Sequence, residues 1–249
     1  MINTNLTITP TDVKLLKYLH KTKVATTKQI GRDIYHTHLP QSMRKCLKRL
    51  RDRKLIEITK GSVVNDRSHI YSLTKKGFNS VKRLYENTLV SERYKSDSVE
   101  HDLALVNIRY DLLKKAIVDF YYTENEIQSY FRFNDDPKLN TYKSFLCDAL
   151  MFCKKGNGKG AYFAIQYEPM QKSSTRYKEI LTNYYTEPLL NFVLYVCIDL
   201  VTEKKIKEIE TQIAKQSDRK IYFIQLKNLI GDSSPVKFIN QKNEVIQIN

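Results

Sequence analysis

Residues 42–58 read SMRKCLKRLRDRKLIEI, and the reading of this stretch decides the fold of the first third of the chain. Seven of its first thirteen residues are Lys or Arg. Wound at 3.6 residues per turn, Met43, Cys46, Leu47 and Leu50 fall within one sector. Gln41, Lys45, Lys48 and Asp52 project from the opposite side, with Arg44 and Arg49 flanking. The apolar stripe is a core face and the basic residues lie outside it. At residues 55–58, LIEI, the period changes to two, which predicts a short strand after the helix.

Upstream, Thr9-Pro10-Thr11-Asp12 opens a first helix that Thr11 is placed to cap, with Val13, Leu15, Leu16 and Leu19 as its stripe. In KVATTKQIGRDIY, residues 23–35, Thr26 or Thr27 caps a second helix whose Ile30 and Ile34 share a face. Pro40 starts the basic helix, where its missing N–H costs little. Downstream, residues 59–68 form a turn-rich loop, HIYSL at 69–73 is a second strand, and TKKGFNSVKRLYEN at 74–87 is a helix with Thr74 as its cap.

Charge is distributed unevenly. The whole chain carries +15. Residues 1–95 hold 21 Lys and Arg against 7 Asp and Glu, whereas residues 96–249 hold 21 against 20. A strongly basic segment joined to a near-neutral one points to a polyanion-binding module attached to something else.

The order helix, helix, helix, strand, loop, strand, helix resembles a winged helix-turn-helix domain. The resemblance covers about residues 8–90 and rests on CLKRLRDRKLIEI running into a hairpin that YSLTKKG closes. It implies that the third helix enters the major groove of double-stranded DNA and that the wing reaches the flanking backbone or minor groove. Gln41, Ser42, Arg44, Lys45, Lys48 and Arg49 are the candidate contacts on the helix, and Lys60 and Arg67 those on the wing. Lys and Arg neutralise phosphates, while Gln41 and Arg44 are suited to base edges. Two plainer alternatives stand beside this one: a solvated amphipathic helix, and a winged helix used for protein contacts. Such domains commonly pair across a two-fold axis, so a homodimer is expected.

The segment boundaries are read as a DNA-binding domain at 1–90, a polar linker at 91–98 and a second domain at 99–249. From His101 the residues Leu103, Leu105, Val106, Ile108, Leu112, Leu113 and Ile117 mark a helix of about 20 residues. YYTENEIQSYFRF at 121–133 reads as a strand or an extended edge. Residues 142–155 read as a strand carrying Asp148, Asn157-Gly158 as a hairpin turn, and AYFAIQYEPM as a second strand. An amphipathic helix (173–188), a buried strand (191–200), an exposed helix (202–216) and a fourth strand (220–226) follow. The fold class is therefore α+β or α/β, with a mixed central sheet in the second domain.

Asp148 on one strand and the pair Gln166 and Glu168, two apart on the next, bring three metal-capable side chains toward one sheet end. This resembles the PD-(D/E)XK superfamily, whose domain is restriction-endonuclease-like. The resemblance implies Mg²⁺ held by Asp148 and Glu168, and a Lys that positions the attacking water. The phrases EHDLALVNIRY, CDALMF and FAIQYEPMQKSSTRYKEILTNYY extend the resemblance to the replication-relaxation proteins of bacterial plasmids and mobile elements. The departures weaken any catalytic site. Cys147 replaces a Pro, Gln166 replaces a Glu, and Glu168 stands where the Lys belongs, leaving Lys172 or Lys178 to substitute in space. His101 with Asp102, Glu124 or Glu126 could complete a cluster.

Two functions follow. One is a DNA-binding protein of transcriptional-regulator or plasmid-replication type, whose second domain serves dimerisation or partner contact. The other is a metal-dependent endonuclease with Asp148, Gln166, Glu168 and Lys178 as its site. No certain cofactor is implied beyond Mg²⁺ in the second case. No apolar run approaches the roughly 18 residues of a membrane span, and the N-terminus lacks a signal-peptide pattern. With four scattered cysteines, these features point to a cytoplasmic protein with free thiols. His36 and His38 have no third metal ligand nearby and read as turn residues. Tyr167, Tyr177, Tyr184 and Tyr185 read as core or interface rather than base-stacking residues.

Overall fold

A computed structural model describes residues 8–36, 41–59, 68–85, 88–115, 118–145, 147–154, 160–214, 220–230 and 235–248. The chain is a mixed α/β protein that divides into two compact units. One comprises Met1–Val106 with Gln128–Phe131, the other Asn107–Ile127 with Arg132–Asn249.

In the first unit the helix α1 (Pro10–Thr22) is capped by Thr9, not by Thr11. Thr9 accepts from the N–H of Asp12, and the Asp12 carboxylate accepts from the N–H of Thr9. This reciprocal box fixes the helix start at Pro10, the first helical position, where proline is tolerated. A short strand, β1 (Val24–Thr26), follows, which periodicity over three residues could not reveal. Thr26 then caps α2 (Thr27–Ile30), which continues as a π-helical turn through Gly31–Tyr35. The basic stretch is α3 (Gln41–Asp52), leading into β2 (Ile56–Thr59), β3 (Ile70–Leu73) and α4 (Lys75–Leu84). The three strands form an antiparallel sheet in the order β1-β3-β2. This order is consistent with the winged-helix expectation.

The core of this unit gathers Leu15, Leu16 and Leu19 of α1, Met43, Cys46, Leu47 and Leu50 of α3, and Phe78 and Val81 of α4. Each large aliphatic side chain so buried contributes roughly 1.5–3 kcal/mol of transfer free energy. Thr74 caps α4 by accepting from the N–H of Gly77, as expected. Gly77 itself is required by closeness. A Cβ there would lie 1.9 Å from the carbonyl oxygen of Leu55, at the turn between α3 and β2. The phrase YSLTKKG thus closes the sheet because only a glycine lets α4 reach that backbone.

The helix α5 (Val99–Lys115) carries the chain into the second unit. After β4 (Phe120–Thr123) come α6 (Glu124–Ser129) and α7 (Arg132–Asp135), where one extended segment was expected over 121–133, and α8 (Pro137–Ser144), which takes in the first residues of the strand expected at 142–155. Asp136 caps α8 and Pro137 occupies its first turn, a local signal that outweighs the absence of an apolar stripe. Next come β5 (Ala149–Lys154), β6 (Gly160–Glu168), α9 (Ser174–Thr186), β7 (Val193–Cys197), α10 (Leu200–Ile213), β8 (Ile221–Gln225), α11 (Leu226–Leu229), β9 (Val236–Ile239) and β10 (Val245–Ile248). Asp148 immediately precedes β5 rather than lying within it. The Asn157-Gly158 turn falls outside the described residues.

The seven strands form one mixed sheet in the order β10-β9-β8-β7-β6-β5-β4. The centre, β6-β7-β8, is parallel and its flanks are antiparallel. All of Val193–Cys197 is buried, which is why VLYVC reads as a continuous apolar run and not as an alternation. Parallel pairing requires crossovers, and α9 and α10 supply them. Among the described residues no helix is long and apolar enough to cross a membrane.

Candidate functional site

On α3 the sorting expected from the sequence is realised. Met43, Cys46, Leu47 and Leu50 are buried, while Gln41, Ser42, Arg44, Lys45 and Lys48 are exposed. Arg49 is different. Its guanidinium lies 2.5 Å from Oδ1 of Asp12, whose side chain is fully buried. Cys46 Sγ donates to the same oxygen at 3.1 Å. Burial by itself would raise the Asp12 pKa, but donors from Arg49, Thr9 and Cys46 together outweigh it and hold the carboxyl below its ordinary value. Burial pushes the Cys46 thiol up to about 11. Burial likewise raises Tyr35. Arg49 thereby locks α3 onto the start of α1, and the remaining cations of α3 point outward. Lys60, Arg67 and His38 lie outside the described residues.

In the second unit, β5 and β6 pair with Ala149 opposite Ile165. The Asp148 N–H donates to Ile165 O at 3.0 Å, and Asp148 Oδ2 accepts from the N–H of Tyr167 at 2.6 Å. Gln166 donates its Nε2–H to the hydroxyl of Tyr184 at 2.7 Å, and Tyr184 shares a further hydrogen bond with Tyr195. Both tyrosines are buried, which raises their pKa values and keeps them neutral. Two residues further along β6, Glu168 is 2% exposed. Both of its carboxylate oxygens receive Lys172 Nζ at 2.5 Å. Tyr177 also hydrogen-bonds Glu168, and its oxygen accepts from the N–H of Lys172 at 3.1 Å. Lys178, one residue along α9 from Tyr177, is exposed.

The structure thus joins Glu168 to Lys172 and Gln166 to Tyr184. Among the described residues no three His, Cys, Asp or Glu side chains come together to hold a metal ion. His101, Asp102, Glu124 and Glu126 therefore do not complete a cluster of that kind. The donor set does not fit Mg²⁺, which takes charged oxygen ligands in near-octahedral geometry. Here the carboxylate of Glu168 is neutralised by an ammonium, and Gln166 offers only a neutral amide. The Lys172 contact was one of two left open by the sequence. The tyrosine network had no sequence signal beyond the abundance of tyrosine in 177–185.

The replication-relaxation family model matches residues 16–163. The chain belongs to the replication-relaxation family. The matched span runs from α1 into β6, so it takes in α3 and Asp148 and stops short of Gln166 and Glu168. Membership associates the chain with replication. No curated protein and no solved structure matches it.

Proposed function

We propose that this member of the replication-relaxation family is a double-stranded DNA-binding protein of plasmid or mobile-element replication, or of transcriptional control, and that it is not a nuclease. The first unit works as a winged helix that presents α3 to the major groove. One observation carries the reading: the outward face of α3 combines Arg44, Lys45 and Lys48 with Gln41 and Ser42, while its inward face is wholly engaged in the core. Cations spaced along one helix face match the phosphates lining a groove, and Gln41 and Arg44 toward its N-terminal end are suited to base edges. Solvation alone would not require the charge of residues 1–95 to stand at a net +14 beside a near-neutral remainder.

The second unit is a nuclease-like scaffold whose metal positions have been replaced by the Glu168–Lys172 and Gln166–Tyr184 contacts. It serves dimerisation or partner contact, and a two-fold dimer would present α3 twice. The test is titration of a mixed-sequence duplex with the full chain and with Lys45→Glu/Lys48→Glu. We expect the double variant to melt as the wild type does and to lose roughly 1 kcal/mol or more of binding per reversed charge at low salt. Unaltered affinity in the folded variant refutes the placement of α3. Metal-dependent nicking of supercoiled plasmid that Asp148→Ala abolishes would instead establish an endonuclease.

A further inference from the structure

Between α9 and α10 lies an open groove of about 720 Å³. Gln171, Ser174, Thr175 and Lys178 line one wall, and Lys204, Lys205, Glu208 and Gln212 line the other, with Val201 and Ile209 between them. We propose that this groove is a second nucleic-acid contact, which holds the phosphodiester backbone of duplex DNA without reading its sequence. The contact is distinct from the α3 face and does not depend on it.

The sorting of charge on α10 carries the argument. The sequence TEKKIKEIE, residues 202–210, is balanced, with Glu203, Glu208 and Glu210 against Lys204, Lys205 and Lys207. The fold separates the signs. Glu203 is 9% exposed and holds Lys207 Nζ at 2.6 Å, and the fully buried Glu210 accepts from the hydroxyl of Tyr185 at 2.5 Å. Glu203 and Lys207 are thereby paired with one another, Glu210 is turned into the interior, and none of the three lines the groove. On α9 the exposed Glu179 is paired with Arg176 at 2.8 Å. Along the groove itself, Glu208 is the one acid that faces Lys178, Lys204 and Lys205 among the described residues. Residues 96–249 carry a net charge of just +1, so three lysines around one groove are not a sample of a generally basic surface.

The other lining groups fit the same occupant. Two hydroxyls and two amides are the neutral donors that accompany lysine at phosphate oxygens. An amphipathic peptide would need an apolar floor, and among the described residues the apolar lining is Val201 and Ile209. No aromatic side chain among the described residues lines the groove to supply the stacking platforms by which single strands are held. A duplex backbone is the remaining match.

The experiment uses the full chain and Lys178→Glu/Lys204→Glu/Lys205→Glu, with unfolding midpoints checked first. Affinity for a mixed-sequence duplex is measured from 50 to 200 mM salt. Each phosphate contact contributes about 0.9 to the slope of log affinity against log salt. We expect the triple variant to lower that slope by roughly 2 to 3 and to bind at least about 10-fold more weakly at the lowest salt. The same loss should appear in the Lys45→Glu/Lys48→Glu background, which separates failure of this contact from failure of the α3 reading. An unchanged slope in a folded triple variant overturns the proposal. So does retained DNA binding together with loss of an acidic polyglutamate peptide that the wild type holds, which would assign the groove to an acidic protein segment.

Discussion

Each unit buries a carboxylate against a cation at one of its ends. Asp12 holds Arg49 at 2.5 Å in the first, and Glu168 holds Lys172 at 2.5 Å in the second. The surroundings differ. On α3, Arg49 is used internally while Arg44, Lys45 and Lys48 remain outward, so the buried pair orients a helix whose other charges face solvent. At the end of β6, the polar groups turn on one another: Lys172 and Tyr177 on Glu168, Tyr184 on Gln166, a backbone N–H on Asp148. A charged residue acts on a ligand only where the fold leaves its charge unneutralised. By that measure the α3 face keeps cations in reserve, and the polar groups at the sheet end are spent on one another.

The largest expected effect lies beneath α3. Gly77→Ala places a Cβ 1.9 Å from Leu55 O, a backbone atom that cannot rotate away. Either α4 or the turn after α3 must move. The expected destabilisation exceeds about 3 kcal/mol, above the usual cost of overpacking, because no side chain is available to yield. Hydrogen exchange on the full chain should show lost protection in α1, α3 and α4 with β6 and β7 unaffected. Equal loss in both units would break the description of two separately packed cores.

A somewhat smaller effect separates the two buried pairs. Lys172→Met leaves the Glu168 carboxylate buried with Tyr177 still in place, at a cost of about 3 kcal/mol, the lower end for a broken buried pair. Arg49→Met should cost less, since Asp12 keeps the N–H of Thr9 and the thiol of Cys46. Urea unfolding of both variants gives the comparison. If Lys172→Met were as stable as the wild type, Lys172 would not be neutralising Glu168, and a role in positioning water would regain its footing.

Much of this contrast was legible before the structure. The stripe Met43, Cys46, Leu47, Leu50 repeats on the scale of a helical turn, and that repeat alone fixes which side of α3 faces water. Thr74 and Gly77 carry local chemistry, a cap and a close approach, and local chemistry is what a sequence displays best. The centre of the large sheet was also visible, because VLYVC and IYFIQ are buried apolar runs. What stayed hidden depends on partners distant in sequence. Three residues of β1 are a strand only because β3 pairs with them. The short helices α6 to α8 lack a stripe, and β9 and β10 are four-residue flanking strands. The pairing of Arg49 with Asp12, 37 positions away, has no local signal at all. The choice between Lys172 and Lys178 turned on the path of residues 169–173 between β6 and α9, which no periodicity encodes.

The smallest expected effect concerns pH and isolates the Asp12 pair. The Asp12 carboxyl titrates below its ordinary 3.8 in the folded chain, because hydrogen bonds from Arg49, Thr9 and Cys46 outweigh the cost of burial. A depressed folded pKa means that the unfolded chain takes up the proton first. The stabilisation is therefore fully present above the unfolded value, near pH 4, and is lost as pH falls through the lower folded value. Arg49 stays protonated throughout, and the Cys46 thiol, at about 11, stays neutral, so neither adds a slope in that window. Asp12→Asn should be less stable than the wild type at pH 6, and the gap should narrow as pH is lowered below 4. A gap that stays constant down to pH 2 would mean that Asp12 does not depend on its charge to hold Arg49. The charge of Arg49 would then stand unneutralised alongside those of Arg44, Lys45 and Lys48, and the difference between the α3 face and the closed network of β6 would rest on the tyrosines alone.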